Sequence, residues 1–411
     1  MAGIVFIGDD FTGASDTLAT LAERGATVRL FLDAPQPQEA AGLDAIGIAT
    51  DLRSRPPEEI TSRLAGLMPA VKALSPRFVH YKICSTFDSA PHVGSIGAAV
   101  LQLEAALSPA HTLIVGGQPS LGRYCVFGML LARAPDGAVH RIDRHPIMSR
   151  HPVTPMDEAD LRIHLGRQGL ADIGLFNRAQ LQSDAQGLAA MLNQPGRTLV
   201  DAVDQSDIEQ IATALRALPQ ESAPVMLVGA SSVAETLRPP AGNRPAGKMS
   251  RTPGPRLAVA GSRSSATAAQ VAAATLYECV PLTVEDFAAG AARTAKRCGD
   301  LLASGRNVLV HLDPARDYRL TSTALSDALA NLTASILART PVAAVAVAGG
   351  DTSGAVVARL GFRSLSFVAR AGAGVAICRG HREASPLDGA LLLLKGGQVG
   401  DLDTFDRFVA G

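Results

Sequence analysis

The chain has 411 residues, 47% of them hydrophobic, with Lys+Arg 38 against Asp+Glu 38 for a formal net charge of +0. That length exceeds one ordinary core and predicts two domains, while the balanced charge offers no global field to attract nucleic acid or an anionic membrane. The lack of tryptophan and an aromatic content of 4% argue equally against a base-stacking nucleic-acid surface. The cysteines, Cys84, Cys125, Cys279, Cys298 and Cys378, are odd in number, scattered and without a C-x-x-C pair. They read as reduced thiols and give no disulfide frame or metal site. Two aspartates interrupt the first apolar run before it could act as a signal peptide, and "ALLLLK" is too short to span a membrane. The expectation is a cytoplasmic protein without a membrane partner.

In chain order, apolar runs ending in Gly or Asp recur: "GIVFIG" (3–8), "TVRLFLD" (27–33), "AIGIATD" (45–51), "RFVHYKI" (77–83), "HTLIVGG" (111–117), "RTLVDAV" (197–203) and "PVMLVGA" (224–230). Helix-like segments such as "SDTLATLAERG" and "EEITSRLAGLMPAVKAL" lie between them. Continuous apolar strands alternating with helices predict an α/β fold with a mainly parallel sheet covered on both faces. A Pro/Gly-rich stretch at 237–256 reads as a linker. The alternation then restarts with "RLAVAG" (256–261), "VPLTV" (280–284), "NVLVHLD" (307–313), "AAVAVAGG" (343–350), "SLSFVAR" (364–370) and "ALLLLKGG" (390–397). Two such domains are expected, 1–236 and 257–411, facing a shared cleft.

Two familiar nucleotide signals are excluded. "GNRPAGKM" (242–249) fits G-x-x-x-x-G-K, but no strand precedes it, prolines surround it, and Met249 stands where a magnesium-binding hydroxyl belongs. No G-x-G-x-x-G follows the first strand, where Gly8 is succeeded by Asp9, Asp10 and Phe11, so a dinucleotide-binding dehydrogenase is disfavoured.

The first strand delivers Asp9 and Asp10 to the carboxyl edge of a parallel sheet, where ligands of such folds bind. Asp10 and Thr12 could simply cap the next helix, yet one side-chain oxygen suffices for a cap and two adjacent carboxylates exceed it. "HYKICSTFDS" (80–89) clusters Lys82, Ser85, Thr86 and Asp88 off another strand end. A cation beside hydroxyls suits a hydroxylated carboxylate, and an ordinary surface turn fits that stretch equally well. Arg53 and Arg55 lie at a third strand end, where one could fork onto a carboxylate and the other be solvated. "DRHPIMSRHPVTPM" (143–156) cannot be a helix, because each of its histidines precedes proline. In the second half "AVAGSRSSATAAQV", "AVAGGDTSGAVV" and "LKGGQVGD" each give a glycine turn after a strand. Such turns leave amides open to phosphate oxygens.

"DDFTGASD", "YKICSTFDS", "HPVTPM" and "GGDTSGAVVARLG" together resemble the four-carbon acid sugar kinases over nearly the whole chain. The resemblance implies an ATP-dependent phosphotransferase whose N-terminal domain binds a tetronate-type acid and whose C-terminal domain binds ATP. On the acid side it implies Asp9, Asp10, Arg55 on the substrate carboxylate, and Lys82, Ile83, Cys84, Ser85 and Thr86 lining the pocket. On the nucleotide side it implies Ser262, with Gly349, Gly350, Asp351, Thr352, Ser353 and Gly354 cradling phosphates and Gly396, Gly397 and Gly400 closing over them. Magnesium would neutralise the phosphates, although no metal-ligand set can be read from the chain. Asp351 and Asp10 are the candidate general bases, with Asp351 preferred for its place on the phosphate turn. A homodimer is compatible with this reading. A sugar-acid sensor would need the acid pocket but not three glycine turns.

Overall fold

The structure is a computed structural model that describes residues 3–219, 223–237, 253–288 and 290–410. The expected linker falls largely outside the described residues, and all of "GNRPAGKM" does. The chain divides into two compact units, Met1–Val28 with Asp33–Arg244, and Arg29–Leu32 with Pro245–Gly411. Among the described residues no helix is long and apolar enough to cross a membrane.

The strands in chain order are β1 (Ile4–Gly8), β2 (Val28–Phe31), β3 (Ala45–Ala49), β4 (Phe78–Lys82), β5 (His111–Val115), β6 (Arg123–Val126), β7 (Met129–Arg133), β8 (Val139–Arg141) and β9 (Ile173–Phe176). They continue as β10 (Arg197–Val200), β11 (Val225–Gly229), β12 (Leu257–Ala260), β13 (Glu278–Pro281), β14 (Val308–His311), β15 (Ala344–Ala348), β16 (Ser364–Gly372), β17 (Val375–His381) and β18 (Leu391–Lys395).

The first unit carries a parallel sheet in the order β3-β1-β4-β11-β5-β10-β9. β1, β3, β4, β5 and β11 are buried at every position. This explains why their sequences are unbroken apolar runs and do not alternate with polar residues. Beside this sheet lies an antiparallel meander, β6-β7-β8. The buried Asp201 after β10 anchors it by accepting the amides of Phe127 (2.6 Å) and Gly128 (2.9 Å).

In the second unit β13-β14-β12-β15-β18 are parallel, and β17, β16 and β2 extend the sheet antiparallel. One face of its core takes every second residue: Ala344, Ala346 and Ala348 of β15 pack with Leu391 and Leu393 of β18, Ile377 of β17 and Phe405. That is the period of two expected of a strand. The sequence expectation had placed all of 1–236 in the first domain. Arg29–Leu32 instead belongs to the second unit, because β2 pairs with β16 through Phe31–Ser364 and Leu30–Leu365, and Arg363 lies 5.7 Å over the Phe31 ring.

Candidate functional site

Each unit presents a polar cluster at the carboxyl ends of three adjacent parallel strands. In the first unit these are β3, β1 and β4, whose last residues Ala49, Gly8 and Lys82 stand in register. The chain leaving β1 offers its Asp9 amide to the Lys82 carbonyl at 2.9 Å. Asp10 then caps the helix Phe11–Glu23, its Oδ1 accepting from the Gly13 amide at 3.0 Å. A short 3₁₀ turn, Leu52–Ser54, follows β3 and brings Arg53 back over this edge. Arg53 donates from Nε to Asp9 Oδ2 (3.0 Å) and from Nη2 to Asp9 Oδ1 (2.7 Å) and Asp10 Oδ1 (2.8 Å). The two-pronged grip on Asp9 is the geometry that makes arginine selective for carboxylates.

Lys82 is buried and donates to the Ile83 carbonyl at 2.8 Å. A Cβ on Gly13 would lie 2.6 Å from Lys82 Nζ and 2.5 Å from Asp10 Oδ1, so a side chain there would push both groups from these positions. Burial drives Asp9 above the ordinary carboxyl range and the adjacent Asp10 adds to the rise, against the pull of Arg53 and Lys82. Asp88 goes the other way. Its burial is outweighed by the Arg53 charge and by hydrogen bonds from Cys84 and Thr86, the latter at 2.6 Å. Burial and the Asp88 charge push the Cys84 thiol up to about 11, which favours the protonated form.

Asp9, Asp10, Lys82, Ile83, Cys84 and Thr86 therefore gather at one edge, with Ser85 in the turn beside them. Arg55 does not join them. Its side chain is 41% exposed and paired with Asp51 and Glu59. The 3₁₀ turn points the two arginines apart, and Arg53, not Arg55, meets the acids.

In the second unit the three strands are β12, β15 and β18, whose ends Ala260, Ala348 and Lys395 are again in register. Gly261, Gly349 with Gly350, and Gly397 from the three following turns frame a cavity of about 290 Å³ together with Ser262, Asp317, Tyr318, Ser326, Asp351 and Thr352. Gly349 has φ +124 and caps the helix Gly350–Arg359. A side chain there would meet Thr352 Oγ1 at 3.1 Å and the Ser262 amide at 3.2 Å. Asp351 is exposed in the first helical turn. The third turn is tied down by Thr267 Oγ1, which donates to the Gly397 carbonyl at 2.8 Å, and by Gln270 Nε2 on the Gly400 carbonyl at 2.9 Å. A second cavity of about 410 Å³ shares Ser262 and is walled by Ala260, Ala268, Val271, Ala272, His311 and Leu312.

Ser262, Gly349, Gly350, Asp351, Thr352 and Gly397 thus meet around one space. Ser353 is buried, with its hydroxyl unpartnered among the described residues. Gly354 lies within the helix, Gly396 gives its carbonyl to Lys395, and Gly400 sits against Thr404. Asp317, Tyr318, Ser326 and Lys395 escaped the sequence reading. Lys395 closes a leucine run and is fully buried.

An acid-and-arginine cluster on one unit and a glycine-framed cavity on the other, each at the carboxyl edge of a parallel sheet, define a two-domain α/β protein. Family models match in the same division: a sugar-binding N-terminal domain over residues 4–237 and a nucleotide-binding C-terminal domain over 257–405. The chain belongs to the four-carbon acid sugar kinase family. It is 34% identical to the 3-oxo-isoapionate kinase of Paraburkholderia graminis, covering 98% of this chain and 93% of that protein. It is 31% identical to the 3-oxo-tetronate kinase of Methylobacterium radiotolerans, covering 98% and 97%. Among solved structures, a Haemophilus influenzae protein superposes with a TM-score of 0.73 at 26% identity, covering 98% of both chains. A Salmonella typhimurium LT2 protein described as a tRNA synthase gives a TM-score of 0.80 at 24% identity, covering 99% and 98%. At that identity the second likeness shows the fold alone.

Proposed function

We propose that the protein is an ATP-dependent kinase that phosphorylates a hydroxyl of a four-carbon sugar acid, of the 3-oxo-tetronate or tetronate type. The observation that carries this is the pair of adjoining cavities around Ser262. The polar one, framed by glycine turns, suits phosphates, and the apolar one suits a nucleobase.

The residues fit the groups they would hold. The turn at Gly349 is closed to any side chain but open to a phosphate oxygen, and Ser262 and Thr352 add hydroxyl donors. The Asp317 carboxylate at the cavity wall is a hard oxygen donor that would hold magnesium, which would supply positive charge against the phosphates. On the acid side, Arg53 and Lys82 supply positive charge to the substrate carboxylate, and Asp10 and Thr86 offer hydrogen-bond partners to its hydroxyls. Asp10 Oδ1 is already engaged by Gly13 and Arg53. Asp351, on the phosphate turn at the wall of the nucleotide cavity, takes the proton from the attacking hydroxyl. Positioning and charge compensation then supply most of the rate, as phosphoryl transfer demands little covalent chemistry from the protein.

Asp351→Asn and Asp10→Asn test the assignment of the base. The first should lower kcat by about 100-fold or more with ATP binding retained, within the range for loss of a general base. Near-normal turnover in both variants would refute it.

A further inference from the structure

The two ligand edges are built on one backbone frame. Past β1, the Asp9 amide donates to the Lys82 carbonyl at 2.9 Å, and past β15 the Gly349 amide donates to the Lys395 carbonyl at 2.9 Å. Lys82 Nζ turns back to the Ile83 carbonyl at 2.8 Å, and Lys395 Nζ to the Gly396 carbonyl at 2.8 Å. Thr50 and Gly261 occupy matching places, their amides on the carbonyls of Gly8 (3.1 Å) and Ala348 (2.9 Å). The frames differ in charge. The residues one and two past β1 are Asp9 and Asp10, and those one and two past β15 are Gly349 and Gly350.

In the first unit Arg53 makes the ion pairs to the acids past β1, and the Lys82 ammonium lies near enough to pull Asp9 down while it donates to the Ile83 carbonyl. In the second, Lys395 is fully buried and its partners are neutral: the Gly396 carbonyl and Thr267 Oγ1 at 3.1 Å. The elements packed against it offer Ala348 and Gly349 from the β15 end, Val375 opposite it on β17, and Thr267 from the helix Ser265–Ala273. Beyond the turn, Asp401 pairs with Arg407, and Asp351 lies on the cavity side. Among the described residues no carboxylate lies within ion-pair distance of Lys395, and a buried ammonium without a counter-charge is costly.

We propose that Lys395 is a positioning residue for the nucleotide: its ammonium holds the Gly396–Gly397 turn in place and is the protein charge that bound phosphates neutralise. The first two positions past β15 are the uncharged Gly349 and Gly350, where the other frame has Asp9 and Asp10, and the ligand brings the negative charge to this edge. This rests on the nucleotide reading of the cavity. Burial lowers Lys395 to about 8, and a polyanion arriving nearby pulls it back up. Nucleotide binding near that pH then takes up a proton.

The test is calorimetric titration of the full chain with ATP and magnesium at pH 8, in two buffers of different ionisation enthalpy. The wild type should bind and take up a substantial fraction of a proton, and its KM for ATP should rise above pH 8. Lys395→Met should bind at least tenfold more weakly, with no proton uptake and a KM that is flat with pH. Lys395→Arg, permanently charged, should recover part of the affinity without the uptake. Binding by the wild type with no proton exchange overturns the proposal even if the methionine variant does not fold, as does Lys395→Met binding within twofold of wild type. If the wild type binds no ATP at all, the nucleotide reading itself fails, and the proposal with it.

Discussion

Two arginines two residues apart do different work. Arg53 answers the buried Asp9 and the half-buried Asp10, while Arg55 joins an exposed network with Asp51 and Glu59. Removing one partner of a buried pair strands the other charge, so Arg53→Met should destabilise by about 3 kcal/mol or more and abolish acid binding. Arg55→Ala should change stability by less than about 1 kcal/mol, as exposed pairs contribute little. Denaturant melts and acid titrations of the two variants check this, and equal effects would reject the distinction. Lys395 adds a pH dependence of known sign. Its pKa falls from 10.5 in the free side chain to about 8 in the fold. Between those values the unfolded chain binds the extra proton, so unliganded stability rises with pH across that window, by at most about 1.4 kcal/mol per unit. Below it the penalty is constant. Chemical denaturation from pH 8 to 10 should show the rise in wild type and its loss in Lys395→Met.

At the scale of elements, the glycine turns are where geometry is least forgiving. Gly349 combines φ +124 with neighbours on two sides. Gly349→Ala should cost about 1–3 kcal/mol in strain and remove ATP binding, leaving sugar-acid binding intact. Calorimetry with each ligand reads this, and loss of both together would contradict it. The strands framing both edges were legible in the sequence because each is buried on both faces and so reads as an unbroken apolar run. β6 to β8 were missed because their exposed residues carry no such run, and β17 because "VAICRGH" ends in polar residues. β13 starts two residues before the expected "VPLTV" run and ends at Pro281. Asp9, Asp10 and the "GGDTSG" turn were legible as strand-end motifs. Arg53 was not separable from Arg55, since local pattern cannot say which way a 3₁₀ turn directs its side chains. Lys395 was hidden because burial of a cation is a tertiary fact.

For the whole molecule, the account assigns the acid to one unit and the nucleotide to the other, and requires both for reaction. Substitutions at Arg53 should then raise KM for the acid far more than for ATP, and those at Gly349 the reverse. The most direct measurement is ³¹P NMR of the purified chain with ATP, magnesium and a panel of four-carbon sugar acids, 3-oxo acids included. The account predicts a new phosphomonoester resonance with one of these acids, growing in step with ADP. ATP left untouched by every acid, or cleaved only to inorganic phosphate while the protein stays folded, would contradict it.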